Sequence, residues 1–266
     1  MLSVARFARS AYRFGPAQNR RSMAGEELRS TFTTTLFGHM DLQCDTAATN
    51  AATQRSTDAA YFRTYNWLLS TNPTSAYPLK TSNSNITCLQ FDGINDVMST
   101  SNSGNLSAFK VITIVELYRN ASATTAILAE MTNDYTAQTT GCRLAGTNAS
   151  CEASLKGDVG FSTRGWNASQ TPWTVNASVL NKSAPLGSEI TVYQNATQIT
   201  AFTTVVNSDN TNDFGVNRWF TGSRSNTGAL PLTGQIAQFL VFTTALNATQ
   251  VTKVTQLVRW HAGLPV

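Results

Sequence analysis

The sequence predicts an all-β protein, an antiparallel sandwich that carries one short C-terminal helix and follows an extended N-terminal arm. Three observations predict it. Residues 109–118 (FKVITIVELY) and 234–242 (GQIAQFLVF) are runs of apolar and β-branched residues of strand length, as expected for strands covered on both faces. Charged residues make up only 13% of the 266, against roughly 25% in ordinary soluble proteins, and Thr, Ser and Asn fill the gap. Thr favours strands and Asn favours turns. A helical period is convincing only at the C-terminus.

Residues 1–29 form the basic arm. Arg6, Arg9, Arg13, Arg20 and Arg21 fall within the first 25 residues, which hold no acid, while Phe7, Tyr12 and Phe14 supply apolar anchors. Removing those five arginines from the formal net charge of +4 leaves about −1 for the rest. The pI of 9.0 therefore belongs to an arm on a near-neutral body, and specific nucleic-acid recognition is not expected. Two origins fit the arm. It is a tether lying on a neighbouring subunit, or a mitochondrial presequence, since Val4, Phe7, Ala11 and Phe14 also follow helical spacing. No apolar run is long enough to span a membrane, and no signal-peptide core is present.

Residues 30–266 read as one domain. A Thr-rich strand is expected over 30–37, and an irregular stretch over 45–72 has helical character around 57–70. Residues 75–91 run extended into 89–98 (LQFDGINDVM), where two acids, an Asn and a Gly interrupt residues suited to burial. We read this as a turn: Phe91 points inward, Asp92 and Gly93 supply turn chemistry, and Asn95 and Asp96 bond nearby backbone amides. A calcium loop needs six or more oxygen ligands, and this stretch offers at most three side chains even if Asp134, Asp158, Asp209 or Asp213 add from elsewhere. Residues 188–202 read as strand, turn and strand with Asn195 in the turn. At the end, Asn247 and Gln250 have capping-box spacing, Val251, Val254, Leu257 and Val258 form one stripe, and Gly263 stops the helix, which is expected to cover one end of the sandwich.

Residues 89–118 and the closing run 234–264 together resemble the opening and closing signatures of concanavalin A-like or laminin-G-like lectin domains, with 189–202 in the place of a family hairpin. The resemblance covers 75–264. It implies an antiparallel jelly-roll sandwich of the kind also found in virus and phage structural proteins.

Chemistry is sparse. Glu116, Glu130, Glu152 and Glu189 are isolated, with no spacing that pairs two carboxylates on one strand face as glycoside hydrolysis requires. His39 and His261 are the only histidines, and Cys44, Cys88, Cys142 and Cys151 contain no C-x-x-C, so neither a catalytic triad nor a zinc site is expected. No cofactor is implied. Cys142 and Cys151 bracket a Gly- and Asn-containing turn and are either a disulfide across a hairpin or two free thiols. Trp166, Trp173 and Trp219 lie in polar surroundings and are either saccharide-stacking rings or fillers of the core. Nine N-x-S/T sequons occur, at Asn85, Asn105, Asn120, Asn148, Asn167, Asn176, Asn181, Asn195 and Asn247.

The sequence thus favours a non-enzymatic structural protein of a virion, packed on capsid subunits as a minor, cement or decoration component and tethered by the arm. A glycan-binding attachment module is the second expectation, and a mitochondrial accessory subunit the third.

Overall fold

The computed structural model describes residues 36–41, 67–69, 78–100, 104–132, 140–157, 160–208, 212–224 and 229–266. The arm at 1–29 and Cys44 lie outside these residues, as does most of 42–77.

Among the described residues, eighteen strands and one helix follow in chain order. The first nine strands are β1 (Leu36–Asp41), β2 (Trp67–Leu69), β3 (Leu79–Asn83), β4 (Ile86–Asp92), β5 (Met98–Thr100), β6 (Gly104–Asn105), β7 (Val111–Asn120), β8 (Ala126–Met131) and β9 (Gly141–Gly146). Then come β10 (Ser150–Lys156), β11 (Phe161–Asn167), β12 (Thr174–Asn181), β13 (Ile190–Gln194), β14 (Thr197–Ile199), β15 (Thr204–Val206), β16 (Val216–Asn217), β17 (Trp219–Thr221) and β18 (Thr233–Phe242). The helix α1 (Ala248–His261) closes the chain.

Two eight-stranded antiparallel sheets result, as predicted. The first runs β14-β13-β12-β7-β18-β4-β3, with β1 also on β18, and the second runs β15-β11-β10-β9-β8-β17-β5-β2. β6 and β16 form a separate pair. β18 bonds β7 along one side; along the other it serves β4 over Thr233–Ile236 and β1 from Gln238 to Phe242. Its register slips between Ile236 and Gln238, so a bulge at Ala237 marks the change of partner. Of the segment expected to be helical around 57–70, the described Trp67–Leu69 pairs with β5 as a strand. Cross-strand pairing overrides local propensity there.

Alternation along each strand builds two cores. Between the sheets lie Leu89, Phe91, Ile112, Ile114, Tyr118, Leu144, Trp166, Trp219 and Phe239. The rings of Trp219 and Phe239 meet edge to face, with centroids 5.3 Å apart. The opposite face of the first sheet contributes Cys88, Val115, Leu117, Ala177 and Leu240 to a second core under Val251, Val254, Leu257 and Val258 of α1. The helix therefore covers a sheet face rather than an end of the sandwich. The reason is that β4, β7, β12 and β18 are apolar on both faces, and the outward residues need a cover.

Local signals at the helix and turns hold. Asn247 Oδ1 accepts from the Gln250 amide at 3.0 Å, and Gln250 Oε1 accepts from the Asn247 amide at 2.9 Å. Past the C-terminus, Gly263 takes φ +79°, and the amides of Gly263 and Leu264 return to the carbonyls of Trp260 and Arg259. Among the described residues no helix is long and apolar enough to cross a membrane.

Candidate functional site

The stretch 89–98 is a turn between β4 and β5. Asp92 Oδ1 accepts from the Ile94 amide at 2.8 Å, and Asp96 Oδ2 accepts from the Asp92 amide at 2.9 Å. The two aspartates, rather than Asn95 and Asp96, thus fix the turn. Burial pushes the Asp96 carboxyl up to about 6. Gly93 sits at φ +80°, and a Cβ there would fall 2.0 Å from Thr233 Oγ1. Both acids bond backbone amides of their own turn. Asp213 likewise accepts from the Gly215 amide, while Asp134, Asp158 and Asp209 lie outside the described residues.

Each described glutamate has a local role. Glu189 accepts from Ser162 at 2.8 Å and from the Gly187 amide, with Arg164 3.8 Å away. Glu152 pairs with Arg143, and Glu130 with Arg224 at 3.1 Å. Glu116 lies between the sheets, away from solvent. No group of three or more His, Cys, Asp or Glu side chains occurs that could hold a metal among the described residues.

Two of the three candidate sugar-stacking tryptophans are core residues. Trp166 is 1% exposed, and its indole N–H donates to Gln194 Oε1 at 3.0 Å across the sandwich. Trp219 is 2% exposed, on the side of β17 that pairs with Met131. Their polar neighbours in sequence misled because adjacent strand residues face opposite ways.

Trp173 is different. It is partly exposed, precedes β12, and packs with Trp260 and Leu264 against the core beneath α1. Thr174 pairs with Tyr118, so Trp173 stands next to Arg119 in register, on the outer face of the first sheet. The Arg119 Nε donates to the Thr171 carbonyl at 2.7 Å. Arg259, in the last turn of α1, is held similarly: Nε donates to the Pro265 carbonyl at 2.7 Å and one terminal nitrogen to Asn195 Oδ1 at 3.2 Å. Each guanidinium has five N–H donors, so both keep some for a ligand while the tied Nε limits their motion. Beyond Arg119 the face continues through Gln235 and Gln90, whose amides bond at 2.6 Å, and Asn83, which donates to Gln235 at 2.9 Å. One sheet face thus carries an aromatic plate, a fixed cation and a row of amides, with a second fixed cation on α1 bonded to the Asn195 turn. Neither arginine stood out in the sequence, because Arg119 comes beside Trp173 only through strand register and Arg259 reaches the Asn195 turn only through helix docking.

The loops at this end are tied from below. The Asn120 amide donates to the Gln170 carbonyl at 2.8 Å, its side-chain nitrogen to Gly146 at 3.1 Å, and its oxygen accepts from the Ser122 amide at 2.9 Å. Ser122 Oγ accepts from the Thr233 amide at 2.9 Å, and Gln170 Oε1 accepts from Tyr118 at 2.5 Å. Asn120 and Asn176 are fully buried, Asn105 and Asn181 accept from backbone amides two residues on, Asn195 ties a hairpin and Asn247 caps α1. Six of the nine sequons therefore use their Asn inside the fold.

The disulfide alternative is overturned. Cys142 and Cys151 are free and buried. Cys142 pairs with Leu155 and Cys151 with Gly146, so the two are four positions out of register, about 13 Å along the strand. A disulfide needs Cα atoms within about 7 Å. The turn is centred past Thr147 and not midway between the cysteines. Burial pushes the Cys151 thiol up to about 12.

No family model matches the sequence, and no curated protein matches it. Several solved structures share its fold. One is the ligand-binding domain of botulinum neurotoxin serotype D in complex with N-acetylneuraminic acid, with TM-score 0.57, 12% identity, 86% of this chain and 52% of that one covered. The serotype D/C VPI 5993 binding domain gives TM-score 0.57 at 10% identity, covering 83% of this chain and 51% of that one. The receptor-binding domain of botulinum neurotoxin D gives 0.52 at 13%, covering 72% and 47%. The chain spans about half the length of these domains, and the likeness is one of fold.

Proposed function

We propose that this protein is a glycan-binding module whose contact surface is the Trp173 patch, and that its preferred saccharides carry a carboxylate. The observation that carries the reading is the placement of Trp173 beside Arg119, and of Arg259 at the end of the helix whose Trp260 packs on the same core, with both guanidiniums anchored through Nε to backbone carbonyls. An aromatic face stacks on the apolar face of a sugar ring, and a preoriented guanidinium matches a carboxylate with two parallel N–H donors. The amides of Gln90, Gln235 and Asn83 suit neighbouring hydroxyls. Proteins of like fold are described as binding domains, one of them holding a carboxylated sugar, which supports binding over catalysis. Fold likeness alone assigns no ligand, so the site carries the proposal.

Shell-building in a virion rests on the low charge and on the arm residues Arg6 through Arg21. The domains of like fold favour the glycan reading over it.

A glycan array probed with the full chain, followed by calorimetry, tests the proposal. Binding to sialylated or uronic-acid glycans is expected, weakened about 10-fold or more in Arg119→Ala, as a charged hydrogen bond of about 1.5–3 kcal/mol implies. Equal binding to the same glycans with the carboxylate reduced, or unchanged binding in both Trp173→Ala and Arg119→Ala, would refute it.

A further inference from the structure

Glu116 lies in the middle of β7, fully buried, on the side facing the second sheet. Neither carboxyl oxygen has a hydrogen-bond partner. Asn176 stands directly opposite on β12, and its Oδ1 is unpartnered too, as is the Oγ of Ser178 two residues further on. The row Gln194, Asn176, Glu116 crosses three adjacent strands and is polar throughout. On the facing sheet Trp166, paired with Cys151, closes the row at Gln194, and the side chains beyond it are small. Asn176 Nδ2 reaches Cys151 Sγ at 3.9 Å and Tyr118 reaches it at 3.7 Å, with Ala153 two positions along and Gly146 paired to Cys151.

All four unpartnered atoms are oxygens. Each buried oxygen left without a donor costs about 1–3 kcal/mol, so four in one place would take a large fraction of a domain's stability. They need hydrogen-bond partners that the surrounding side chains do not supply. Sheets about 10 Å apart, with Gly, Ala and Cys on one side, leave room for it.

We propose that a sealed hydrated chamber lies between the sheets at Glu116, lined by Asn176 and Ser178 beside it and by Cys151 and Ala153 opposite, and that ordered waters within it donate to Asn176 Oδ1 and the Glu116 carbonyl oxygen and accept from the Glu116 and Ser178 hydroxyls. About two waters supply the two donors and two acceptors required, and internal waters commonly make about three bonds each. Glu116 is then a neutral acid at pH 7, because burial pushes its carboxyl up to about 8. The titratable groups that feel its charge are Tyr118, Cys151 and Cys142, each pushed towards its neutral form by burial; Lys182 and Glu130 act on Cys142 and Glu152 on Cys151.

Infrared spectra and water-¹⁷O relaxation dispersion of the full chain at pH 7 test this. The wild type is expected to show a carboxylic-acid carbonyl band that disappears in Glu116→Gln, an isosteric neutral replacement. Long-lived internal waters are expected to fall in number in Glu116→Leu. Waters equal in number in wild type and Glu116→Leu would mean a dry interior and overturn the proposal. An ionised carboxylate at pH 7 with melting that depends on sodium or potassium would replace water by a cation and overturn it equally. The acid band is read on the wild type, so poor folding of a variant leaves that result standing.

Discussion

The side-chain oxygen of Asn195 accepts the Val175 backbone amide at 3.0 Å and also a guanidinium nitrogen of Arg259 at 3.2 Å. A residue in a two-residue hairpin turn thereby joins β12 to the end of α1. Asn195 and Ala196 have φ of 50° and 68°, the paired positive values of a turn that matches strand twist.

Asn195→Gly should keep the turn, since Gly accepts positive φ without a Cβ penalty, and release Arg259. We expect stability to fall by about 1–2 kcal/mol, for the two lost hydrogen bonds, while affinity for a carboxylated glycan falls several-fold. Chemical denaturation alongside calorimetry checks it. Affinity that tracks stability alone would remove Arg259 from the site.

Phe91 and Gly222 form a second coupled pair. Gly222 sits at φ +89°, and a Cβ there would lie 2.0 Å from the Phe91 ring. Phe91→Ala should cost about 3–5 kcal/mol as a cavity mutation. Gly222→Ala should also destabilise strongly, but less so in the Phe91→Ala background, where the ring is gone. Additive urea-denaturation losses would contradict the contact.

Glu116 gives stability a pH dependence of defined sign. Its carboxyl titrates near 4.5 when free and about 8 in the fold, so between those values the folded state holds the extra proton. Stability is then full below pH 4.5 and declines as pH rises through 8. Asp96, raised to about 6 by burial, adds to the same trend. Melting profiles of Glu116→Gln should lose the decline between pH 6 and 8 that remains after the Asp96 contribution. A profile identical to wild type would show that Glu116 does not carry it.

The thiols of Cys88, Cys142 and Cys151 are buried, and burial raises all three, Cys88 to about 11. They should stay unreactive to a thiol reagent in the native protein and react on unfolding. Intact mass should be the same with and without reductant. A gain of two mass units on reduction would reinstate a disulfide.

What the sequence determined by itself was local. The core strands around 111–120 and 233–242 follow from unbroken apolar and β-branched runs, and the turn at Asp92–Gly93 from residues that bond their own backbone or tolerate positive φ. The capped helix follows from Asn247, Gln250 and a valine stripe at helical period. These signals need only near neighbours along the chain. The hairpin at Ser84 and Asn85, with φ of 53° and 65°, carries a weaker form of the same signal, in a segment whose composition reads as extended. Tertiary structure decided the rest. Register put Cys142 against Leu155 and Cys151 against Gly146. Packing sent Trp166 and Trp219 inside and left Trp173 at the surface. The two-sided apolar character of β7 and β12 drew α1 onto a sheet face, and only that docking brought Arg259 onto Asn195. The physical reason is distance along the chain: strand register and helix docking are chosen by the summed burial of many residues far apart in sequence, and no short stretch contains that sum.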